Sequence, residues 1–133
     1  MATFTLLDVA NAIRKDGLKH IRGSMFKAQD GITVSFQRNN YDQIPTAACA
    51  IGQAAWNLEV DPEELFVALQ EFHNGDNMYL GDAIVTWNDR SKYSLDKIAT
   101  RVEEVAAANN NPKFKVLKKT SIHKKFKINA SKS

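Results

Sequence analysis

The sequence predicts an α+β domain: a small, mostly antiparallel sheet packed with about four helices. Two observations carry this. Apolar residues recur at helical spacing in several stretches closed by cap residues, and other short stretches alternate apolar and polar side chains. A third bounds it: 133 residues, 44% hydrophobic and 25% charged, are enough for one self-supporting core and leave little for a second domain.

Thr5-Leu6-Leu7-Asp8 reads as a helix start, with a Thr cap and an acid three residues on. Leu6, Val9, Ala10 and Ile13 then share a face, and Gly17 is the expected left-handed stop, which gives a helix over about 6–16. Asp30-Gly31 lies between two apolar runs, and Ile32, Val34 and Phe36 alternate with Thr33, Ser35 and Gln37. That pattern predicts a hairpin near 24–37. Pro45-Thr46 opens the next element, and the Ala-rich run to Leu58 reads as a buried helix with Cys49 in its interior. Asp61 caps a further helix with Pro62 at its first position and Glu63 and Glu64 behind it.

Met78–Leu80 and Ala83–Trp87 read as short strands, the second near 83–88. Ser94 caps a helix from Leu95 to about Ala108, ended by Asn109-Asn110-Asn111-Pro112. From Lys113 the chain alternates again, with Phe114 and Val116 between lysines. A strand over 113–118 with its lysines outward is expected, lysine also being a common guard on an exposed edge. The division expected is one domain over 1–111 and a basic segment over 112–133 that docks in part as a strand.

Charge is the most informative feature. The formal net charge is +3, yet residues 112–133 carry eight lysines and no acid, while residues 61–111 carry ten acids against four basic residues. The basic character therefore belongs to one end of an otherwise acidic chain. Eight lysines make a dense positive field that suits a polyanion. Phe114, Phe126 and His123 are placed to stack on unpaired bases. The segment has no arginine, the residue of the commonest base-specific contact, so the contact predicted is with the nucleic-acid backbone and non-specific. The residues predicted to make it are Lys113, Lys115, Lys118, Lys119, Lys124, Lys125 and Lys127.

Other chemistry is thinly supported. Ala55, Leu58, Val60, Asp61 and Leu65 fall at helix-turn-helix spacing. However, Glu59 stands where the turn usually has Gly, and a recognition helix opening Pro-Glu-Glu would be repelled by DNA, so two consecutive core helices are expected instead. Cys49 with His20, His73 or His123 would be a nucleophile and base, but a Cys among small apolar residues is usually a buried hydrophobe. His73 with Asp76 and Asp82 is the one His–carboxylate grouping, and acids near a helix end are usually solvated. No phosphate-binding glycine loop, HExxH or EF-hand spacing is present. No cofactor, no metal site and no catalytic residue are predicted.

The expected function is that of a small non-enzymatic accessory or regulatory protein contacting nucleic acid. The alternative is a protein-binding inhibitor, adaptor or assembly component, acting through Trp56, Trp87, Tyr41, Tyr79 or Tyr93, or through a homo-oligomer that sets the basic end of one copy on the acidic region of the next. No apolar run reaches the length of a membrane span and the first residues lack a signal pattern, so a cytoplasmic protein without a membrane partner is expected.

Overall fold

A computed structural model describes residues 2–15, 17–28, 45–74 and 77–116. Among them the order is β1 (Ala2–Thr5), α1 (Leu6–Arg14), β2 (Lys19–His20), β3 (Phe26–Ala28), β4 (Pro45–Ala48), α2 (Ala50–Leu58), α3 (Pro62–Leu69), α4 (Leu80–Asp89), α5 (Leu95–Ala108) and β5 (Lys113–Val116). The fold is α+β. Its strands form two small sheets rather than the single one expected: an antiparallel β1–β5 ribbon, and a sheet ordered β2-β4-β3 in which β2 runs parallel to β4 and β3 antiparallel to it.

The caps read from sequence are in place. Thr5 Oγ1 accepts from the Asp8 amide at 3.2 Å, and the Asp8 carboxylate accepts from the Thr5 amide at 2.8 Å. This reciprocal pair satisfies two amides that the first turn of α1 leaves without partners. Asp61 accepts from the Glu63 amide with Pro62 at the head of α3, and Ser94 accepts from the Lys97 amide at the head of α5. Leu6, Val9, Ala10, Ala12 and Ile13 bury the inner face of α1 against α5 and α2. From α5 the core receives Ile98, Ala99, Val102, Val105 and Ala106.

Several expectations are corrected. The strand near 83–88 is the helix α4, which raises the number of helices among the described residues to five. Its buried residues Leu80, Ala83, Ile84 and Asn88 recur at helical spacing. The β-branched run Ile84-Val85-Thr86 suggests a strand, but that local preference is weaker than the gain from burying the helical face. Met78–Leu80 is not a strand either: Tyr79 makes an isolated bridge with His73. Pro45–Ala48 is a strand, with proline at its first position where no ladder donor is missed. The following helix starts at Ala50, so Cys49 is its N-cap and not an interior residue. α1 ends at Arg14, with Lys15 extended at its C-cap, and Gly17 is not left-handed. β3 is the first arm of the hairpin expected near 24–37, but β4 is its partner, and the Asp30-Gly31 turn and second arm lie outside the described residues.

Two features went unread in the sequence. β1 lies before the first predicted helix and pairs with β5 from the opposite end of the chain. Arg14, at the end of α1, clamps α5: its guanidinium donates to Asp96 at 2.7 Å, to Glu103 at 2.6 Å and to Thr100 at 3.1 Å. These bonds hold the Glu103 carboxyl below its ordinary value and raise the arginine further above neutrality.

Candidate functional site

Three places hold the residues that the sequence singled out. The first is the β1–β5 ribbon. Its register sets Phe4 opposite Phe114 and Ala2 opposite Val116 on one face, with Thr3 opposite Lys115 and Thr5 opposite Lys113 on the other. Phe114 and Val116 are 6% and 2% exposed. The Phe114 ring packs 6.3 Å from Phe4 and 5.9 Å from Phe72, centroid to centroid. Alternation then obliges the two lysines to face solvent, and both do. Their Cα atoms stand roughly 7 Å apart, two residues along one strand. Neither lysine pairs with a carboxylate among the described residues, where the ion pairs join Arg14 to Asp96 and Glu103, and Arg101 to Glu104. Lys118, Lys119, Lys124, Lys125 and Lys127 lie outside the described residues, as do His123 and Phe126. Phe114, cast as a stacking residue, is core and unavailable to a base.

The second place is the head of α2. Asn88, only 1% exposed, reaches across from the end of α4. Its carboxamide oxygen accepts from the Ala50 amide at 3.1 Å and meets His20 Nε2 at 2.6 Å. Its nitrogen donates to the Ile21 carbonyl at 3.1 Å and to Asp89 at 2.8 Å. The Cys49 thiol accepts from the Gly52 amide and lies 3.6 Å from the Met25 sulfur. Burial, the largest influence on it, pushes that thiol above its ordinary value. A helix N-terminus favours a thiolate, but here desolvation prevails. No hydrogen bond joins Cys49 to His20; the histidine answers to Asn88. This is a structural junction of β2, α2 and α4. The chemistry of an activated nucleophile is not assembled there.

The third place was not read as a site in the sequence, although His73, Trp87 and Tyr93 were each singled out there. A cavity of about 490 Å3 opens between α4 and α5, walled by Trp87, Tyr93 and His73, with Arg101, Glu104 and Val105 along α5. Asn74, Ala108 and Asn109 complete the lining. The volume is in the range that takes a small organic ligand, roughly 300–1,000 Å3. Arg101 and Glu104 stand three residues apart on the helix and 3.5 Å apart in space. Such exposed pairs contribute under about 1 kcal/mol, so both groups are open to exchange for a ligand. The His73 ring is held against Tyr79, with centroids 4.8 Å apart. His73 therefore belongs to this cavity; Asp82 does not line it, and Asp76 lies outside the described residues. The signal available was the spacing of Arg101, Glu104, Val105 and Ala108 along one helix, but its partners Trp87 and His73 come from other elements.

The helix-turn-helix spacing is present as geometry. Glu59 adopts the left-handed conformation (φ 59°, ψ 44°) that the turn demands, and α3 follows α2 directly. The exposed face of α3 carries Glu63 and Val67, which suits no phosphate backbone. No group of three or more His, Cys, Asp or Glu among the described residues is arranged to hold a metal ion. No helix among them is long and apolar enough to cross a membrane. No protein-family model, no curated protein and no solved structure matches the chain.

Proposed function

We propose that this chain is a small binding protein and not an enzyme, and that its lysine-rich C-terminal end contacts the phosphate backbone of nucleic acid without sequence specificity. The single observation in support is the alternation in β5. Burying Phe114 and Val116 fixes Lys113 and Lys115 on a solvent face, where no carboxylate among the described residues neutralises them. Six further lysines follow in the sequence at 118, 119, 124, 125, 127 and 132. Lysine acts on phosphate as a point charge, so this contact selects charge density and not base identity.

The test measures affinity of the full chain for generic single- and double-stranded DNA and RNA between about 50 and 200 mM salt, a range over which multiple phosphate contacts weaken steeply. Deleting residues 113–133 would be a poor control, because it also removes Phe114 and Val116 from the core. The informative variant is Lys113→Glu with Lys115→Glu, which leaves the buried face intact. Losing two phosphate contacts lowers the slope of log affinity against log salt on duplex DNA by about 2. Unchanged affinity and slope in that variant, with wild-type binding intact, remove β5 from the contact. An absence of salt-dependent binding in the wild-type chain removes the whole reading.

One observation favours a protein partner instead. Val67 is 65% exposed on α3 beside the exposed Glu63, an apolar side chain in an acidic setting. Self-association by sedimentation that Val67→Ser abolishes would support that role.

A further inference from the structure

We propose that the cavity between α4 and α5 is a binding site for a guanine base, either in a free nucleotide or in an unpaired strand. The walls come first. Trp87 and Tyr93 are half-buried aromatics whose backbones are joined by a 2.9 Å hydrogen bond from the Tyr93 amide to the Trp87 carbonyl. The Lys97 ammonium lies over one face of Tyr93, 4.0 Å from the ring centroid, and His73 is held by its packing on Tyr79. Several aromatic rings fixed around one space favour a flat, polarisable ligand, which is how unpaired bases are usually held.

The polar groups narrow the choice. Arg101 and Glu104 face the same cavity side by side, 3.5 Å apart. Their charges cancel, so the lining does not select an anion; it offers adjacent acceptors and donors. Guanine presents the complement: two neighbouring N–H groups on one edge beside a carbonyl oxygen. A carboxylate takes both N–H groups, and a guanidinium takes the carbonyl. Adenine and uracil offer too few adjacent donors to fill both carboxylate oxygens, and cytosine lacks the second ring that would cover the aromatic walls. Asn109 also lines the cavity; its side-chain nitrogen already donates to the Val105 carbonyl, which leaves its oxygen to accept.

The position fits a strand as well as a free nucleotide. Lys113 follows Asn109 by four residues, a span of at most roughly 14 Å. A backbone lying on Lys113 therefore runs within a few nucleotides of the cavity mouth. The inference does not require that contact and stands on the cavity alone.

The experiment is calorimetric titration of the full chain with GMP, AMP, CMP and UMP, which share one phosphate and differ in base, and with oligouridylate carrying a single central guanine. Tighter binding of GMP assigns the free nucleotide, and tighter binding of the oligonucleotide assigns the unpaired strand. GMP is expected to bind one to one and roughly tenfold or more tighter than the others, the discrimination that one bidentate pair supplies. Glu104→Gln, an exposed substitution checked by an unchanged thermal midpoint, is expected to weaken GMP by about tenfold and to narrow the selectivity. The Lys113→Glu, Lys115→Glu variant is expected to keep the GMP preference, which separates this site from the backbone contact. Four nucleotides binding within about twofold of one another, GMP affinity unaltered in Glu104→Gln, or no saturable binding would each overturn the assignment.

Discussion

Replacing Asn88 with alanine tests the most constrained junction in the fold. Its carboxamide serves four partners: the Ala50 amide, His20, the Ile21 carbonyl and Asp89. The Ala50 amide belongs to the first turn of α2, which has no intrahelical acceptor for it, and Ala50 is fully buried. Truncation leaves that N–H without its acceptor, at a cost of about 1–3 kcal/mol. The void left by the carboxamide adds roughly 1 kcal/mol, so Asn88→Ala should lose about 2–4 kcal/mol. Against a total of about 5–15 kcal/mol this is a large fraction. Urea unfolding followed by circular dichroism should show a midpoint lower by roughly 1–2 M with little change in slope. Hydrogen exchange supplies a local readout, because the Ala50 amide should lose protection more than amides in α5. A loss below about 1 kcal/mol, or protection at Ala50 equal to wild type, would refute the idea that Asn88 holds the head of α2.

Further perturbations probe the rest of the frame. A Cβ at Gly52 would lie 2.5 Å from the Met25 carbonyl oxygen and 2.9 Å from the Ala48 Cβ, so Gly52→Ala should cost about 2–3 kcal/mol by thermal unfolding. At Gly81 a Cβ would lie 2.6 Å from Gln70 Oε1, which accepts from the Asp82 amide, and 3.0 Å from the Phe66 carbonyl oxygen, so Gly81→Ala should cost about 1–2 kcal/mol despite the better helix preference of alanine. Arg14→Met removes the partner that holds the Glu103 carboxyl low. A carboxyl depressed in the folded state stabilises fully above its unfolded value, about 4.3, and loses that effect as pH falls through the folded one. The stability gap between wild type and Arg14→Met, read by urea unfolding, should thus be constant near neutrality and shrink below about pH 4. Burial raises the Cys49 thiol, so a disulfide reagent near pH 8 should react with the native chain at least about tenfold more slowly than with the chain in urea. Equal rates would place the thiol at the surface.

What the sequence revealed and what it hid divide along one physical line. Signals that act within a few residues were legible. The Thr5–Asp8 box, Asp61-Pro62 and Ser94 lie where the helices begin, and the alternation at Lys113–Val116 gave both the strand and its buried face. Features made by distant partners were not. Ala2–Thr5 is a strand because β5 pairs with it, and four residues carry too little pattern to announce that alone. Ile84-Val85-Thr86 prefers extended backbone, yet helical burial of Leu80, Ile84 and Asn88 decides the matter. Asn88 read as the end of a short strand near 83–88, although its four partners span residues 20 to 89. The same limit governs the sites: the outward lysines of β5 were visible, whereas the cavity required Trp87, His73 and α5 to meet.

The distribution of neutralised charge gives the proposed contact a direction. On the α1–α5 side, Arg14 already engages Asp96 and Glu103, and Arg101 engages Glu104. The open face of α3 is acidic at Glu63, and its exposed Val67 offers nothing to a phosphate. On the α1–α5 side a polyanion meets paired arginines together with the exposed lysines Lys15 and Lys97, and on α3 it meets the exposed Glu63. On the β1–β5 ribbon it meets Thr3, Lys113 and Lys115, with no described carboxylate in an ion pair there. The helix-turn-helix spacing of α2 and α3 is the poorer match for the proposed contact even though its turn is well formed, because the helix it would present exposes Glu63. Charge reversal gives opposite results at the two places: Glu63→Lys should strengthen binding to generic duplex only through net charge, by less than Lys115→Glu weakens it. Equal and opposite effects would mean that the polyanion responds to the total charge of the molecule and does not sit on the ribbon.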